Sequence, residues 1–158
     1  FYRKQQGAYP VIYITFKDVK FDNWKDSLEA IRLVIRDEYM RHDEILSWDG
    51  LDVVEKDYLD RMQKGTLSNV EYTRALLNLS RMLEKYHNKK IVVLIDEYDN
   101  FTNQLLTAYN DPLYEEVTTN DSFLRTFFKV IKKGIHKYTF KVKNVSVVDL
   151  RHCGINVK

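Results

Sequence analysis

Two short apolar runs separate longer stretches in which apolar and polar residues alternate with a helical period. Residues 11–16 follow Pro10 and are rich in β-branched and aromatic side chains, a composition typical of a strand. Residues 91–95 are all apolar and lie between two lysines and two carboxylates. An uninterrupted apolar run of this length predicts a strand that is buried on both faces.

The stretches between and after these runs predict amphipathic helices. Residues 22–42 carry one apolar stripe at spacings of three and four, which comprises Trp24, Leu28, Ile31, Ile35 and Tyr39. Ser68 and Glu71 form a capping box, which predicts a helix from there to about His87. Further helices are predicted over residues 52–63, 101–109 and 122–133, and one or two strands over residues 138–150.

This order of strands and helices is typical of an α/β fold with a mainly parallel sheet flanked by helices. No repeat and no domain boundary interrupts residues 1–158, which predicts a single domain. In parallel sheets, ligands bind beyond the carboxyl ends of the strands. The residues that follow Phe16 and Ile95 are therefore the first candidates for a functional site.

The composition is that of a globular protein, with 44% apolar, 13% aromatic and 30% charged residues. Only five glycines and two prolines are present, which excludes collagen-like and low-complexity chains. No apolar run approaches the roughly 20 residues of a membrane span, and no signal-peptide pattern opens the sequence. The single Cys153 cannot form an internal disulfide. These features predict a cytoplasmic protein that makes no membrane contact.

Charge is distributed unevenly along the chain, although the net charge is only +2. Residues 91–124 carry seven acidic and no basic side chains, whereas residues 125–158 carry nine basic side chains and one acidic one. The basic segment either neutralises the acidic one within the fold or contacts phosphates or an acidic partner. In the second case the predicted partner-binding residues are Lys129, Lys132, Lys133, Lys137, Lys141 and Lys143.

The most specific chemical signal is an apolar strand that ends in two adjacent carboxylates, Asp96 and Glu97. This is the form of a Walker B segment. In that role Asp96 would hold Mg²⁺ through its water shell, and Glu97 would polarise a water molecule for attack on a γ-phosphate. The alternative is an acidic turn after a core strand, and the pattern alone does not decide between the two.

Residues 9–18 and 90–99, with the helices between them, resemble the bacterial AAA-ATPase-like family. This family is a branch of the P-loop NTPases and often carries a C-terminal nuclease domain of the restriction type. The resemblance covers residues 9–133, and its most specific parts are Phe-Lys-Asp after the first strand and Asp-Glu-Tyr-Asp after the second. It implies a P-loop-NTPase-like sheet in which residues 11–16 lie beside the Walker B strand. By the same resemblance, Asp96 corresponds to the carboxylate on the metal side of the family's site, and Glu97 corresponds to the catalytic carboxylate that activates water.

The sequence departs from this family in two places. The five glycines stand at positions 7, 50, 65, 134 and 154, so no Gly-x-x-x-x-Gly-Lys loop is present to hold phosphates. Residues 1–8 form an N-terminal extension, and residues 134–158 form a divergent basic tail. We therefore expect a partial sheet whose vacant position is taken by rearranged C-terminal strands or by a second copy of the chain.

Other candidate sites give weaker signals. His152 and Cys153 are adjacent, but no third residue is placed to orient them as a catalytic pair. Phe127 and Phe128 beside lysines would stack on single-stranded nucleic acid, although helical spacing turns half of this set towards the core. Surface or capping roles are predicted for the histidines that lack metal-ligand spacing: His42, His87 and His136.

Two functions follow from these observations. The first is a non-catalytic binding or inhibitory protein derived from an AAA-ATPase-like domain, for example one that blocks a bacterial defence nuclease in the manner of an anti-CRISPR protein. Its target would be a protein or ribonucleoprotein, nucleic acid would bind through the basic segment, and no cofactor is expected. The alternative is an ATPase whose P-loop lies outside this chain and whose ligand is Mg-ATP. An exposed sheet edge also predicts a homodimer.

Overall fold

A computed structural model describes residues 8–19, 24–97 and 123–134. Within these residues the protein is a mixed α/β structure, mostly helical, with a small parallel sheet of two strands. The predicted α/β class is confirmed at this level, and the larger P-loop-NTPase-like sheet stays a prediction. The described elements, numbered in chain order, are β1 (Val11–Thr15), α1 (Trp24–Arg41), α2 (Asp43–Leu46), α3 (Val53–Lys64), α4 (Asn69–Thr73), α5 (Ala75–His87), β2 (Val92–Asp96) and α6 (Phe123–Gly134).

The two strands pair in parallel, with Val11 opposite Val92 and Thr15 opposite Asp96. The chain connects them through helices α1 to α5, as a parallel pair requires. Both strands therefore end at the same edge of the sheet, and the two predicted strands are confirmed. The helix predicted over residues 101–109 and the strands predicted over residues 138–150 lie outside the described residues.

The described helices cover one face of this sheet. β1 turns Ile12 and Ile14 into the core that the helices form, and both are fully buried. The opposite face carries Tyr13, whose side chain is 45% exposed. In β2, residues 92–95 are only half-buried and Asp96 is exposed. Within the described residues, full burial is therefore shown for Ile91 and not for residues 92–95.

α1 confirms the apolar stripe that the sequence predicts. Ile31, Ile35 and Tyr39 are fully buried. The Tyr39 hydroxyl donates a hydrogen bond of 2.6 Å to the carbonyl of Ala75. This bond joins α1 to α5 in the core and satisfies the polar end of a buried aromatic side chain.

Capping boxes begin α3 and α4. Asp52 accepts a hydrogen bond from the Glu55 N–H, and Ser68 accepts one from the Glu71 N–H. Each glutamate in turn accepts a bond from the backbone N–H of its cap residue. Gly65 ends α3 in the left-handed conformation with a φ of 69°. The predicted cap at Ser68 and the predicted end at Gly65 are both confirmed.

The helix predicted over residues 68–87 is two helices, α4 and α5. The break lies at Arg74, which has a φ of −103° and a ψ of 1°. The Arg74 N–H donates to the Glu71 carbonyl, three residues back, and the Thr73 hydroxyl donates to the Val70 carbonyl. In both bonds the carbonyl lies three residues before the donor, whereas in an α-helix it lies four residues before. The prediction of one continuous helix is therefore wrong.

α6 completes the described core. Phe123, Leu124, Phe127 and Phe128 are all buried. Phe128 meets Phe16 edge-on, with ring centroids 6.3 Å apart, so α6 packs against the residue that follows β1. None of the described helices combines the length and the apolar character that a membrane crossing needs.

Candidate functional site

The carboxyl ends of β1 and β2 bring the two predicted carboxylates to one edge of the sheet. Thr15 lies opposite Asp96 in the strand register, and the Phe16 N–H donates to the Asp96 carbonyl at 3.1 Å. Glu97 follows directly. Ligands of parallel sheets bind at this edge, so the structure places Asp96 and Glu97 where a ligand would approach.

The Asp96 carboxylate is exposed and held by two neutral donors. Its Oδ2 accepts from the Tyr13 hydroxyl at 3.2 Å, and its Oδ1 accepts from the Glu97 N–H at 3.0 Å. These donors orient the carboxylate but do not neutralise its charge. The side chain therefore presents a fixed negative charge that suits a hard cation such as Mg²⁺.

Glu97 has an unusual backbone conformation, with a φ of 50° in the left-handed region. For a residue other than glycine this conformation costs on the order of 1–3 kcal/mol, and such residues cluster at functional sites. Here the turn directs the Glu97 N–H back to the Asp96 carboxylate. The local strain thus helps to fix the position of the Asp96 side chain at the end of β2.

The chemistry of this edge fits a magnesium ion that keeps most of its water. Mg²⁺ is usually held by one or two carboxylates together with the phosphates of a substrate. In the part of the chain that the structure describes, no group of three or more His, Cys, Asp or Glu side chains could hold a metal by itself.

A comparison with protein families matches almost the whole chain. The family model described as predicted AAA-ATPase matches residues 2–151. The chain belongs to the predicted AAA-ATPase family. The match includes residues 134–151 and so extends beyond residues 9–133, on which the resemblance in the sequence rests. No curated protein and no solved structure is significantly similar to the chain.

The predicted partner-binding lysines fall partly within α6. Lys129 is exposed, and α6 also contains Lys132 and Lys133. Stacking of Phe127 and Phe128 on single-stranded nucleic acid is excluded in this structure, because the two side chains are 0% and 6% exposed and lie in the core. Outside the described residues lie the other predicted positions Lys137, Lys141, Lys143, His136, His152 and Cys153.

Sequence reasoning missed a buried charged network at the opposite, amino-terminal end of the sheet. Glu38 and His42 are each only 5% exposed. The His42 ring lies between two carboxylates, with Nε2 3.3 Å from Glu38 Oε1 and Nδ1 3.1 Å from Glu44 Oε1. Nε2 of His87 lies 3.3 Å from the same Glu44 oxygen. The predicted surface role is therefore wrong for His42, which is buried between charged partners; His42 does occupy the N-cap position of α2, but its side chain makes no capping hydrogen bond.

The same network reaches the outer edge of β1. Glu38 Oε1 accepts a hydrogen bond of 2.8 Å from the Tyr13 N–H. Arg41 Nη2 donates to the Val11 carbonyl at 2.5 Å and to Glu38 Oε1 at 2.5 Å. Two side chains of α1 thus occupy backbone groups of β1 that a neighbouring strand would otherwise use.

The members of this network stabilise one another's charged forms. Burial acts to raise the pKa of Glu38, but hydrogen bonds from Arg41, His42 and the Tyr13 N–H hold that pKa below its usual value. Burial acts to lower the pKa of His42, but hydrogen bonds to Glu38 and Glu44 raise it overall. Opposite charges and hydrogen bonds therefore outweigh desolvation at this end of the sheet.

One sequence pattern could have revealed the network. Glu38 lies three residues after Ile35, and His42 lies four residues after Glu38, so both continue the apolar stripe of α1. Charged residues are almost never buried unless they are paired. An acidic and a basic residue four apart on an apolar stripe therefore predict a buried ion pair.

Proposed function

We propose that this member of the predicted AAA-ATPase family supplies the metal-side and water-side carboxylates of a nucleotide-hydrolysing site. The observation that carries the proposal is the placement of Asp96 and Glu97 at the carboxyl end of β2, directly beside the end of β1. In this proposal Asp96 holds Mg²⁺ through its water shell. Glu97 polarises the attacking water for phosphoryl transfer.

The same proposal holds that these 158 residues do not hydrolyse ATP alone. Polyphosphate binding in P-loop enzymes needs a glycine-rich loop with a lysine, and the sequence has no two glycines five positions apart. Two carboxylates repel a polyphosphate unless a cation lies between them. The P-loop and its lysine would therefore come from outside this chain, with Mg-ATP as the shared ligand.

Metal titration tests the assignment of Asp96. Mn²⁺ serves as a magnetic substitute for Mg²⁺, and water-proton relaxation reports its binding. We expect weak Mn²⁺ binding to the wild-type chain and a clear loss in Asp96→Asn. Asp60→Asn is the matched control, because Asp60 is an exposed carboxylate on α3 that pairs with Lys64. Equal Mn²⁺ binding by Asp96→Asn and the wild type would contradict the assignment.

A second candidate function is binding or inhibition by contact, without catalysis. It is favoured by the separation of seven acidic side chains over residues 91–124 from nine basic ones over residues 125–158, together with the exposed Lys129. Complementary charge of this kind steers association with a protein or ribonucleoprotein target, or with nucleic acid. A bacterial defence nuclease remains the specific target that this hypothesis proposes.

Charge variants separate the two candidates. If the chain acts by contact, reversing Lys129, Lys132 and Lys133 to glutamate weakens binding to a candidate target, and the salt dependence of binding falls. Asp96→Asn and Glu97→Gln then leave binding unchanged. Loss of binding in the carboxylate variants, with the circular dichroism spectrum retained, counts against the contact hypothesis.

A further inference from the structure

Tyr13 links β1 to the carboxylate at the end of β2. Its phenol hydroxyl donates a hydrogen bond of 3.2 Å to Asp96 Oδ2. In the strand register Tyr13 lies opposite Leu94, two residues before Asp96, so its side chain extends along the sheet towards the carboxyl edge. Ile12 and Ile14 point into the helical core, and the alternation of side chains along a strand places Tyr13 on the other face. The phenol and the Asp96 carboxylate therefore meet on the face opposite the described helices.

The backbone of Tyr13 is held in place by contacts other than those of its side chain. Its N–H donates to Glu38 Oε1 at 2.8 Å, and Glu38 is itself buried and paired with Arg41. The neighbouring Ile12 and Ile14 are fully buried, so β1 cannot shift here without disturbing the core. Only two rotatable dihedral angles separate this fixed backbone from the phenol ring. The position of the phenol oxygen is therefore well determined.

The two oxygens of the Asp96 carboxylate accept from different donors. Oδ2 accepts from the Tyr13 phenol, and Oδ1 accepts from the Glu97 N–H. A carboxylate has about four lone-pair positions, so these two bonds, among the described residues, leave positions for metal-bound water. Donors on both oxygens restrict rotation of the carboxylate, whereas the Glu97 N–H alone would leave Oδ2 free to turn. The phenol therefore completes the orientation of this side chain.

The chemical nature of the donor is as important as its position. An ammonium or guanidinium group at position 13 would neutralise Asp96 and oppose the binding of a cation. A phenol donates a hydrogen bond and leaves the full negative charge on the carboxylate. Hydrogen-bonding partners of this kind orient metal-binding groups, and their loss typically weakens metal binding by about 10–100-fold. Tyr13 thus has both the contact and the neutral charge that such a partner needs.

We propose that Tyr13 is a positioning residue for the metal site, in which its phenol orients the Asp96 carboxylate towards the water shell of Mg²⁺. This inference rests on the proposed function, because it assumes that Asp96 is the carboxylate on the metal side. A purely structural tyrosine would contribute only to the pairing of β1 with β2. The two roles have different consequences, since only the positioning role makes metal affinity depend on the phenol hydroxyl.

Mn²⁺ titrations followed by water-proton relaxation test the positioning role. Tyr13→Phe removes only the hydroxyl, and we expect its Mn²⁺ affinity to fall about tenfold, because the ion keeps its water shell and the effect lies at the low end for such partners. The matched control is Tyr86→Phe, since Tyr86 is an exposed tyrosine on α5 whose ring meets Trp48 edge-on. The control should bind Mn²⁺ as the wild type does. Circular dichroism verifies that both variants keep the fold.

An NMR measurement on the wild type does not depend on how the variants fold. Carbon-13 at the tyrosine ring carbon that bears the hydroxyl gives one signal for each tyrosine, and the signal of Tyr13 is assigned through the backbone of β1. Mn²⁺ broadens the signals of nuclei that lie close to it. Substoichiometric Mn²⁺ should therefore broaden the Tyr13 signal strongly and the Tyr86 signal little, and Asp96→Asn should remove this selectivity.

The outcomes separate this inference from the proposed function. Unchanged Mn²⁺ affinity in Tyr13→Phe, together with a loss in Asp96→Asn, overturns the positioning role and leaves the metal assignment of Asp96 intact. Unchanged affinity in Asp96→Asn contradicts that assignment, and the inference fails with it. Equal losses in Tyr13→Phe and Tyr86→Phe also overturn the positioning role, because the effect is then not specific to this phenol. So does the absence of selective broadening at Tyr13 in the wild type.

Discussion

The two ends of the sheet carry charged residues under opposite conditions. At the amino-terminal end, Glu38 and His42 are buried, and each lies within hydrogen-bond distance of charged partners. At the carboxyl end, Asp96 is exposed, and its two hydrogen bonds come from a hydroxyl and a backbone N–H. Charge therefore maintains the fold at one end, whereas at the other end it is presented to solvent.

The effect of a substitution on stability distinguishes carboxylates that support the fold from carboxylates that are presented to solvent. Removing one partner of a buried ion pair leaves an uncompensated charge, which is strongly destabilising. Removing an exposed carboxylate changes stability little. If Asp96 and Glu97 serve a ligand, their substitution affects binding without affecting the fold.

Glu38→Ala is expected to have the largest effect on stability. It leaves the Tyr13 N–H and the Arg41 guanidinium without their shared acceptor, and it places His42 beside a cavity. We expect a loss of about 1–3 kcal/mol in the free energy of unfolding, measured by urea denaturation, because the Tyr13 N–H loses its acceptor whereas the half-exposed Arg41 can be solvated. Glu38→Gln, which keeps the shape and one carbonyl acceptor, is the control and loses less. A loss below about 1 kcal/mol in Glu38→Ala would show that the network is not structural.

The pH dependence of stability follows from the same network. The folded-state pKa of His42 is raised, so its contribution is fully present below the unfolded value of about 6.5 and is lost as pH rises through the folded value. The folded-state pKa of Glu38 is lowered, so its contribution is present above about 4.3 and is lost as pH falls. Urea unfolding across pH values should therefore show maximal stability between these two ranges.

His42→Gln separates the loss of stability at high pH from the loss at low pH. Its neutral amide still donates a hydrogen bond but cannot titrate, so the alkaline loss of stability should become smaller while the acid loss remains. The His87→Gln variant is the comparison, since His87 is partly exposed in the last turn of α5 and joins the network only through Glu44 among the contacts that the structure describes. An unchanged alkaline limb in His42→Gln would assign that titration to another group.

The helix cap at Ser68 lies away from both ends of the sheet, and its loss is expected to have an intermediate effect on stability. Ser68→Ala removes the hydroxyl that accepts from the Glu71 N–H at the start of α4. We expect a loss of about 1 kcal/mol, measured by the shift in the urea midpoint. Hydrogen bonds from the Ser68 backbone and side chain, with Arg61, lower the pKa of Glu71 to about 2, so the cap persists in mild acid. Insensitivity to Ser68→Ala would mean that packing alone fixes α4.

The carboxyl end should show the smallest changes in stability. Asp96→Asn and Glu97→Gln are expected to stay within about 0.5 kcal/mol of the wild type. Glu97→Gly should be neutral or stabilising by about 1 kcal/mol, because glycine adopts the positive φ of this position without strain. Thermal unfolding measures all three variants. A large loss in Asp96→Asn would move this residue to the structural class and remove the contrast between the two ends.

The sequence predicts the elements that depend on local pattern. The β1 and β2 strands, the stripe of α1, and the caps at Ser68 and Gly65 follow from residue type and spacing, and all are confirmed. The break at Arg74 was not predicted, because it depends on carbonyl pairing within one turn and not on a glycine or proline.

Part of the candidate site could likewise be predicted from the sequence, and part depends on contacts between residues that are distant along the chain. The positions of Asp96 and Glu97 follow from the rule that parallel strands end at one edge. The Glu38–His42 pair depends on contacts with β1 and α2 that are distant along the chain, so only its place on the stripe was visible in the sequence. The covered outer edge of β1 could not be predicted, since it requires the relative placement of a helix and a strand.

Phosphate release from Mg-ATP is the most direct test of the proposal that Asp96 and Glu97 are one part of a larger nucleotide site. The purified chain is compared with Glu97→Gln under identical conditions, with Asp60→Asn as the control. We expect no release above background from any of the three, because no glycine-rich loop is present to bind the phosphates. Steady release by the wild type and Asp60→Asn that disappears in Glu97→Gln would contradict this expectation and show a complete ATPase.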